Sequence, residues 1–313
     1  MDVKKILLLS LSLASLLFAQ ELFHLKSPPK QRIGTDESGF MQPRWSPDGT
    51  LIAFTSSNYK GLWVADSNGA NIRQLTNEPA AGFDFRWSPA SDQIATRVAR
   101  YENFLRFNAV ELLEINGPSK KMLTSFSRQL PGTPQWQNDG MLSYFDGQKL
   151  ASIKVKDNVN KINEHTIVFI KNGYIAVYRP DKDKVVLQDP LRKGGYLNVV
   201  LSPDQKKIAF ELMGGNMYVM DVTGTNVRDL GRGYRPQWSP DSKYIVYMLT
   251  EDNGHDYTAS DIYVVSVYGN EKQNITGSDD RLEMNPHWSP DGKKIAYDDY
   301  RAGSIYIIEL ESK

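Results

Sequence analysis

The sequence predicts an all-β fold, a single closed β-propeller built from four-stranded antiparallel blades. Three observations favour this fold. A Trp-Ser-Pro-Asp-Gly motif recurs along the 313 residues, β-rich runs follow each copy, and the two ends of the chain supply complementary parts of one blade. Repeats of about 40–45 residues with four strands each are typical of propeller blades.

The repeated motif marks the start of each unit. Its full and partial copies are centred, in chain order, on Trp45, Trp87, Trp136, Leu201, Trp238 and Trp288. The Ser-Pro-Asp-Gly segment predicts a tight turn, because Pro presets the backbone, Asp accepts backbone hydrogen bonds and Gly tolerates positive φ. The acids of these turns are Asp48, Asp204, Asp241 and Asp291. One active site would not need four copies, so we interpret the acids as turn residues and the tryptophans as packing between blades.

Runs of alternating apolar and β-branched residues follow each turn and predict three further strands per repeat. In the first repeat these runs are residues 51–55, 62–65 and 72–76. The 65 residues between Trp136 and Leu201 hold two hairpins, joined by a single run at 159–162. Counting hairpins favours seven blades, with the third or the fourth lacking a strand. Six blades with an inserted hairpin is the alternative.

The chain ends predict how the ring closes. The last repeat stops after its third strand near residue 310, whereas residues 31–35 precede the first motif as a fourth strand would. The N-terminal strand is therefore predicted to complete the last blade. Closure of this kind removes unpaired strand edges.

The first residues resemble a secretory signal peptide. Lys4 and Lys5 precede an uncharged, Leu-rich run at 6–18, and Ala19 is a small residue at the expected cleavage point. The run is shorter than a membrane-spanning helix requires. We therefore assign residues 1–19 to a signal peptide and 20–313 to the propeller, with an uncleaved anchor as the alternative. The mature chain is expected to be periplasmic or secreted, with no membrane span.

Composition excludes several function classes. The 37 Lys and Arg balance the 37 Asp and Glu, which gives no electrostatic reason to expect a nucleic-acid partner. The absence of Cys excludes disulfides, thiolate metal sites and cysteine nucleophiles. The sequence contains no nucleophile elbow, phosphate-binding loop or dinucleotide fingerprint. We expect a non-enzymatic protein without cofactor or metal, Ca²⁺ at the acidic loops being the weaker alternative.

Candidate binding residues lie just before each Trp. Positions one and three residues before it share one strand face, opposite the Trp, which on an innermost strand faces the central channel. From these positions we select a candidate set at the channel mouth: Arg44, Arg86, Gln135, Arg235, Gln237 and His287. A hydrated pore with structural hydrogen bonds is the alternative interpretation.

The repeats at Trp45, Trp238 and Trp288, with the partial copies at Trp87 and Leu201, resemble the TolB-type propeller repeat over nearly all of residues 31–310. The resemblance implies a periplasmic scaffold that binds an envelope protein, such as a peptidoglycan-associated or outer-membrane protein. It also implies six blades and an N-terminal α/β domain, for which residues 20–42 leave no room.

A second resemblance supplies the alternative function. The oligogalacturonate lyases share this repeat, which implies a carbohydrate-binding or polysaccharide lyase-type propeller with a metal held chiefly by His. Only His287 lies on a predicted inner strand, so that motif does not match.

Overall fold

The strands of the chain form seven antiparallel sheets. The computed structural model describes residues 22–34, 39–128, 133–138, 140–146, 149–156 and 165–312. Within these ranges the regular structure consists of strands and two short 3-10 turns, Ser57–Tyr59 and Pro180–Lys182. No helix in this part of the chain has the length and apolar character needed to cross a bilayer.

The strands follow the chain from blade to blade. Two short strands come first, β1 (Phe23–Leu25) and β2 (Lys30–Ile33). Blade 1 comprises β3 (Phe40–Trp45), β4 (Leu51–Ser56), β5 (Leu62–Asp66) and β6 (Arg73–Thr76). Blade 2 comprises β7 (Arg86–Trp87), β8 (Gln93–Glu102), β9 (Leu105–Glu114) and β10 (Lys120–Met122). Blade 3 comprises β11 (Gln135–Asn138), β12 (Met141–Phe145) and β13 (Leu150–Lys154).

The remaining blades repeat the pattern. Blade 4 comprises β14 (Ile167–Lys171), β15 (Tyr174–Arg179) and β16 (Lys184–Gln188). Blade 5 comprises β17 (Tyr196–Leu201), β18 (Lys207–Leu212), β19 (Met217–Asp221) and β20 (Arg228–Gly231). Blade 6 comprises β21 (Tyr234–Trp238), β22 (Tyr244–Asp252), β23 (Tyr257–Ser266) and β24 (Lys272–Asn274). Blade 7 is built on β25 (Glu283–Trp288), β26 (Lys294–Asp299) and β27 (Ser304–Ser312).

The first strands of the blades line the centre of the ring. Strand β3 contacts β25, β25 contacts β21, β21 contacts β17 and β17 contacts β14. Blades 2 and 3 join the ring through hydrogen bonds of their own first strands. The fold is the predicted seven-bladed β-propeller, and the six-bladed alternative is wrong. Blades 3 and 4 each show three strands among the described residues, and the predicted run at 159–162 lies outside them.

The N-terminal segment closes the ring, as predicted. Strand β2 pairs with the first half of β27, from Lys30 opposite Ile307 to Ile33 opposite Ile305. Strand β1 continues the same edge and pairs Leu25 with Leu310. Residues from opposite ends of the sequence therefore form one blade.

The recurring turns share one hydrogen-bond pattern. In blade 1, Ser46 Oγ donates to Asp48 Oδ1 at 2.6 Å, and the same carboxylate oxygen accepts from the backbone N–H of Thr50 at 3.0 Å. The same Ser-to-Asp bond, also 2.6 Å, occurs at Asp204, Asp241 and Asp291. In blade 2, Asp92 is the turn acid and accepts a hydrogen bond from Ser88 Oγ at 2.9 Å. These contacts place the four repeated acids inside turns.

The repeated tryptophans lie between neighbouring blades. Trp87 Nε1 donates to the backbone oxygen of Arg44 in the preceding blade at 3.1 Å. The corresponding bonds run from Trp136 to Arg86 and from Trp238 to Val200, each at 3.1 Å. Trp45 and Trp288 are buried without such a bond among the described residues, and Trp87 and Trp136 are partly buried.

We call the end of the ring at which the inner strands begin the upper mouth, and the end with the Ser-Pro turns the lower mouth. Two hairpins rise at the upper mouth beyond the other blades, β8–β9 and β22–β23, whose strands are nine or ten residues long. The length of these hairpins was not predicted, because their outer residues lie far from the repeated motif in sequence.

Candidate functional site

The upper half of the channel holds a cavity of about 500 Å³ that opens at the upper mouth. Five of the six candidate binding residues line it: Arg44, Arg86, Gln135, Arg235 and Gln237. They come from blades 1, 2, 3 and 6, so the ring brings together side chains that are far apart in sequence. Ligand cavities commonly lie in the range of about 300–1,000 Å³.

A β-bulge in the inner strands directs their side chains towards this cavity. We had expected the regular alternation of a strand to do so. Each of four inner strands shifts register just before its Trp position or the equivalent Leu. The residue three positions before it has a left-handed backbone: Gln42 (φ 56°), Asn198 (φ 47°), Arg235 (φ 55°) and Asn285 (φ 52°). Bulges re-aim side chains and are common next to functional sites.

Buried carboxylates of the preceding blade hold two of these four bulges. The backbone N–H of Gln42 donates to Asp298 Oδ1 at 2.8 Å, and that of Arg235 donates to Glu211 Oε1. Asp298 and Glu211 both lie ten residues after the motif Trp or its Leu equivalent. At the same position of blade 2 the chain has Arg97, which lines the upper cavity. A cation thus stands where two other blades place a structural acid.

The upper cavity is strongly positive although the chain as a whole is neutral. The charged residues lining it are Arg44, Arg86, Arg97, Arg235 and Asp84, a net charge of +3. Asp84 bridges two of the arginines, with 3.0 Å from its Oδ1 to Arg44 and 3.3 Å from its Oδ2 to Arg86. Burial acts to raise the pKa of Asp84, but the charges of Arg86 and Arg44 outweigh it, and the pKa is lowered. Asp84 is therefore ionised at neutral pH.

The arginines differ in how firmly the protein holds them. Arg44 donates from Nη1 to the backbone oxygen of Phe85 at 3.1 Å, and its guanidinium lies 5.2 Å from the centre of that ring. Arg235 donates from Nη1 to Asn285 Oδ1 at 2.6 Å and from Nη2 to the hydroxyl of Tyr59 at 3.3 Å. Burial lowers the pKa of Arg44; the charge of Asp84 opposes this and the neighbouring Arg86 and Arg235 add to it, and the resulting pKa is about 10. The group stays protonated at neutral pH.

Aromatic rings form part of the cavity wall. Tyr59 and Phe83 meet edge to face at 5.3 Å, and Phe145 stacks on Phe169 at 5.4 Å. The guanidinium of Arg97 lies over the Phe83 ring, 5.0 Å from its centre. The wall therefore combines apolar surface with cations. Arg97 and these rings were not among the predicted residues, because they lie outside the positions just before each Trp.

His287 does not line the upper cavity, but it shares a small cavity of about 40 Å³ with Arg44, Arg235 and Gln237. It lines a second cavity of about 390 Å³ at the lower mouth, together with Trp45, Trp288 and the Pro residues of the turns. Its Nδ1 lies 3.0 Å from the backbone oxygen of Trp288. Burial, with a smaller contribution from Arg44, lowers the pKa of His287 to about 3. The ring is therefore neutral at physiological pH and adds no charge to the channel.

We tested whether the side chains present fit a metal ion. Across the residues that the structure describes, no group of three or more His, Asp or Glu side chains has an arrangement that would hold one. The other described histidines are dispersed: His24 lies on β1, His165 contacts Gln205 Nε2 at 2.9 Å, and His255 lies in an exposed hairpin loop. We therefore derive no chemistry through a metal.

The ring and its polar channel define the class of the chain: a seven-bladed β-propeller with a cationic central cavity. No protein-family model matches the sequence. A curated relative, the Tol-Pal system protein TolB of Wigglesworthia glossinidia brevipalpis, is 29% identical over 183 residues, which are 55% of this chain and 38% of that protein. The match thus spans less than half of the relative. This sequence similarity confirms that the repeats of the chain resemble those of TolB.

Solved structures of similar shape include TolB from Acinetobacter baumannii, with a TM-score of 0.48 and 16% identity over 90% of this chain and 66% of that one. An oligogalacturonate lyase in complex with manganese gives a TM-score of 0.47 and 12% identity, covering 86% of this chain and 76% of that one. The oligogalacturonate lyase from Vibrio parahaemolyticus gives a TM-score of 0.46 and 9% identity, and the match covers the same shares of the two chains. Likeness at this level carries no information on activity.

Proposed function

We propose that the chain is a non-enzymatic scaffold of the cell envelope, periplasmic or secreted, that binds a protein partner at its upper mouth and requires no cofactor. The sequence relative is a Tol-Pal system protein, which supports a partner in the envelope, such as a peptidoglycan-associated or outer-membrane protein. Residues 1–19 would direct the chain there as a signal peptide, and residues 20–313 would form the mature propeller.

One observation carries the proposal. The upper mouth combines polar channel residues that differ from blade to blade with exposed aromatic residues on the two long hairpins. At the tip of β8–β9, Phe104 is completely exposed and Tyr101 is 61% exposed. On the other hairpin, Tyr257 is 40% exposed and meets Tyr300 edge to face at 5.7 Å. Aromatic residues beside a polar cavity are characteristic of protein interfaces.

The test is site-specific crosslinking in the envelope. A photoreactive phenylalanine analogue replaces Phe104 at the upper mouth or, as the matched control, exposed Lys206 beside a lower-mouth turn. We expect position 104 to crosslink one defined envelope protein and position 206 to leave that protein uncrosslinked. Equal crosslinking at both positions would move the interface away from the upper mouth.

A second arm asks whether the channel takes part. The double variant Arg44→Gln/Arg86→Gln is compared with Arg32→Gln/Arg128→Gln, which removes the same charge from exposed positions. We expect the first pair to lose the crosslink at position 104 and the second pair to keep it. Because Arg44 is partly structural, Arg86→Gln alone is included, and each variant is checked by its melting curve. Retention of the crosslink in all folded variants would exclude the channel from the interface.

The alternative function, a carbohydrate-binding or polysaccharide lyase-type propeller, is favoured by one observation, the excess positive charge of the upper cavity. Uronate-containing sugars are polyanions, and a cationic cavity attracts them. Incubation of the chain with oligogalacturonate and detection of unsaturated products at 235 nm would distinguish a lyase from a scaffold. We expect no product.

A further inference from the structure

The upper cavity holds more positive charge than its own carboxylate neutralises. Four arginines face it and one aspartate, Asp84, shares two of them. Guanidinium groups gathered at one site repel one another, and an anion that binds between them relieves that repulsion. The cavity is therefore prepared for a ligand with more than one negative charge.

Arg86 has more unused hydrogen-bonding capacity than Arg44 or Arg235. Its guanidinium contacts Asp84 at 3.3 Å, and its Nε is buried without a hydrogen-bond partner among the described residues. A guanidinium carries five N–H donors in a planar fork that matches a carboxylate. By contrast, Arg44 and Arg235 donate to the protein itself. Arg86 is thus placed to contact a ligand directly, whereas Arg44 and Arg235 supply charge from fixed positions.

The wall of the cavity favours a peptide over an acidic sugar. Sugars bind proteins by stacking on open faces of aromatic rings, but cations already cover faces of two rings here. Arg97 lies over Phe83, and Lys171 lies 4.9 Å from the centre of the Phe145 ring. The lining also includes aliphatic residues such as Val168 and Leu197, beside polar residues such as Gln135 and Asn198. Ring edges and aliphatic groups suit the apolar side chains of a peptide.

We propose that the upper cavity binds an extended acidic segment of the partner protein, in which two or three carboxylates alternate with apolar or aromatic side chains. The carboxylates face the four arginines, Arg86 makes the direct bidentate contact, and the apolar side chains pack against the rings on the wall. This inference rests on the proposed scaffold function and specifies the chemistry of the partner.

The test uses the full chain and a defined probe. The probe is a fluorescein-labelled, end-blocked hexapeptide of alternating Asp and Phe, followed by fluorescence anisotropy, and its control has Asn in place of every Asp. We expect the acidic peptide to bind and the Asn peptide to bind at least about tenfold more weakly, as loss of charged hydrogen bonds implies. Raising NaCl from 50 to 500 mM should weaken only the acidic peptide, because salt screens its charges.

Variants locate the site. Arg86→Gln should weaken binding of the acidic peptide by about 10- to 100-fold, and Arg86→Lys should recover part of the loss by restoring the charge. Arg32→Gln removes the same charge from an exposed position on β2 and should leave binding unchanged. A melting curve for each variant shows whether it is folded.

Three results would overturn the inference: equal binding of the Asp and Asn peptides, equal binding by Arg86→Gln and Arg32→Gln, or displacement of the probe by hexagalacturonate at a lower concentration than unlabelled peptide. The crosslinking experiment separates this inference from the proposed function. If the crosslink at position 104 forms and the hexapeptide does not bind, only the acidic-segment inference fails. If the hexapeptide binds and no crosslink forms at position 104, the scaffold function fails.

Discussion

Removal of side chains from the N-terminal strands is the sharpest test of how the ring is held closed. Ile33 on β2 is completely buried and lies in the cluster between blades 7 and 1, with Trp45 and Phe54. Phe23 on β1 is 7% exposed and belongs to the cluster between blades 6 and 7. The N-terminal segment therefore contributes a buried side chain to each of the two interfaces of blade 7. Substitution of Ile33 or Phe23 by Ala leaves a cavity in one of these interfaces.

The expected cost follows from what each side chain touches. The Phe23 ring lies 5.1 Å from that of Tyr244 and 5.5 Å from that of Trp288. Phe→Ala in a packed core costs about 3–5 kcal/mol, and Ile→Ala about 2–5 kcal/mol. At roughly 2–4 °C per kcal/mol for a chain of this size, each variant should melt about 4–20 °C below the parent. Deletion of residues 20–36 removes both contacts and exposes β27 as an unpaired edge, so it should cost more than either substitution.

The assay is urea unfolding followed by tryptophan fluorescence, supported by thermal melting. Leu25→Ala is the matched control, because Leu25 lies on β1 but is 42% exposed. We expect Leu25→Ala to change the free energy of unfolding by less than about 1 kcal/mol. An unchanged melting temperature in the 20–36 deletion, or equal effects of Ile33→Ala and Leu25→Ala, would refute the reasoning that this segment closes the ring.

Two further predictions concern contacts between blades. Trp238→Phe should lower the free energy of unfolding by about 1 kcal/mol more than Trp288→Phe does. The reason is that Trp238 Nε1 donates to Val200 across the blade interface, whereas Trp288 Nε1 has no partner among the described residues. Urea unfolding measures the difference, and an equal loss of stability in the two variants would contradict the assigned bond. Burial raises the pKa of Asp298 from 3.8 to about 7. Between these two values the folded chain retains a proton that the unfolded chain releases. The free energy of unfolding should therefore fall as pH rises from about 4 to 7, by up to about 1.4 kcal/mol per pH unit. Asp298→Asn should lose this part of the pH dependence, as unfolding at pH 4.5 and 7 would show, and a parallel pH profile in both proteins would count against it.

The sequence predicted the blades well because their signals are local. Period-two alternation and the Ser-Pro-Asp turn depend on neighbouring residues, so the runs predicted at 51–55 and 62–65 match the strands Leu51–Ser56 and Leu62–Asp66 to within one residue. Closure was also predictable, since a blade short of one strand at residue 310 and a spare strand near residue 31 are both visible in the sequence. The strand bulges were not, because they depend on contacts with the preceding blade, such as the carboxylates that hold two of them.

The candidate site was likewise predicted only in part from the sequence. The sequence identified Arg44, Arg86 and Arg235 from a repeated position, but it did not show that Arg97 joins them or that His287 lies nearer the lower mouth. Arg235 meets Tyr59 across 176 residues of sequence, and such a contact depends on the number of blades and on how the ring closes. The sequence by itself thus determined the repeating unit, the turns and the closing strand, because short-range chemistry specifies them. Only the tertiary structure decided which charges share the cavity, because the ring geometry sets the distances between blades.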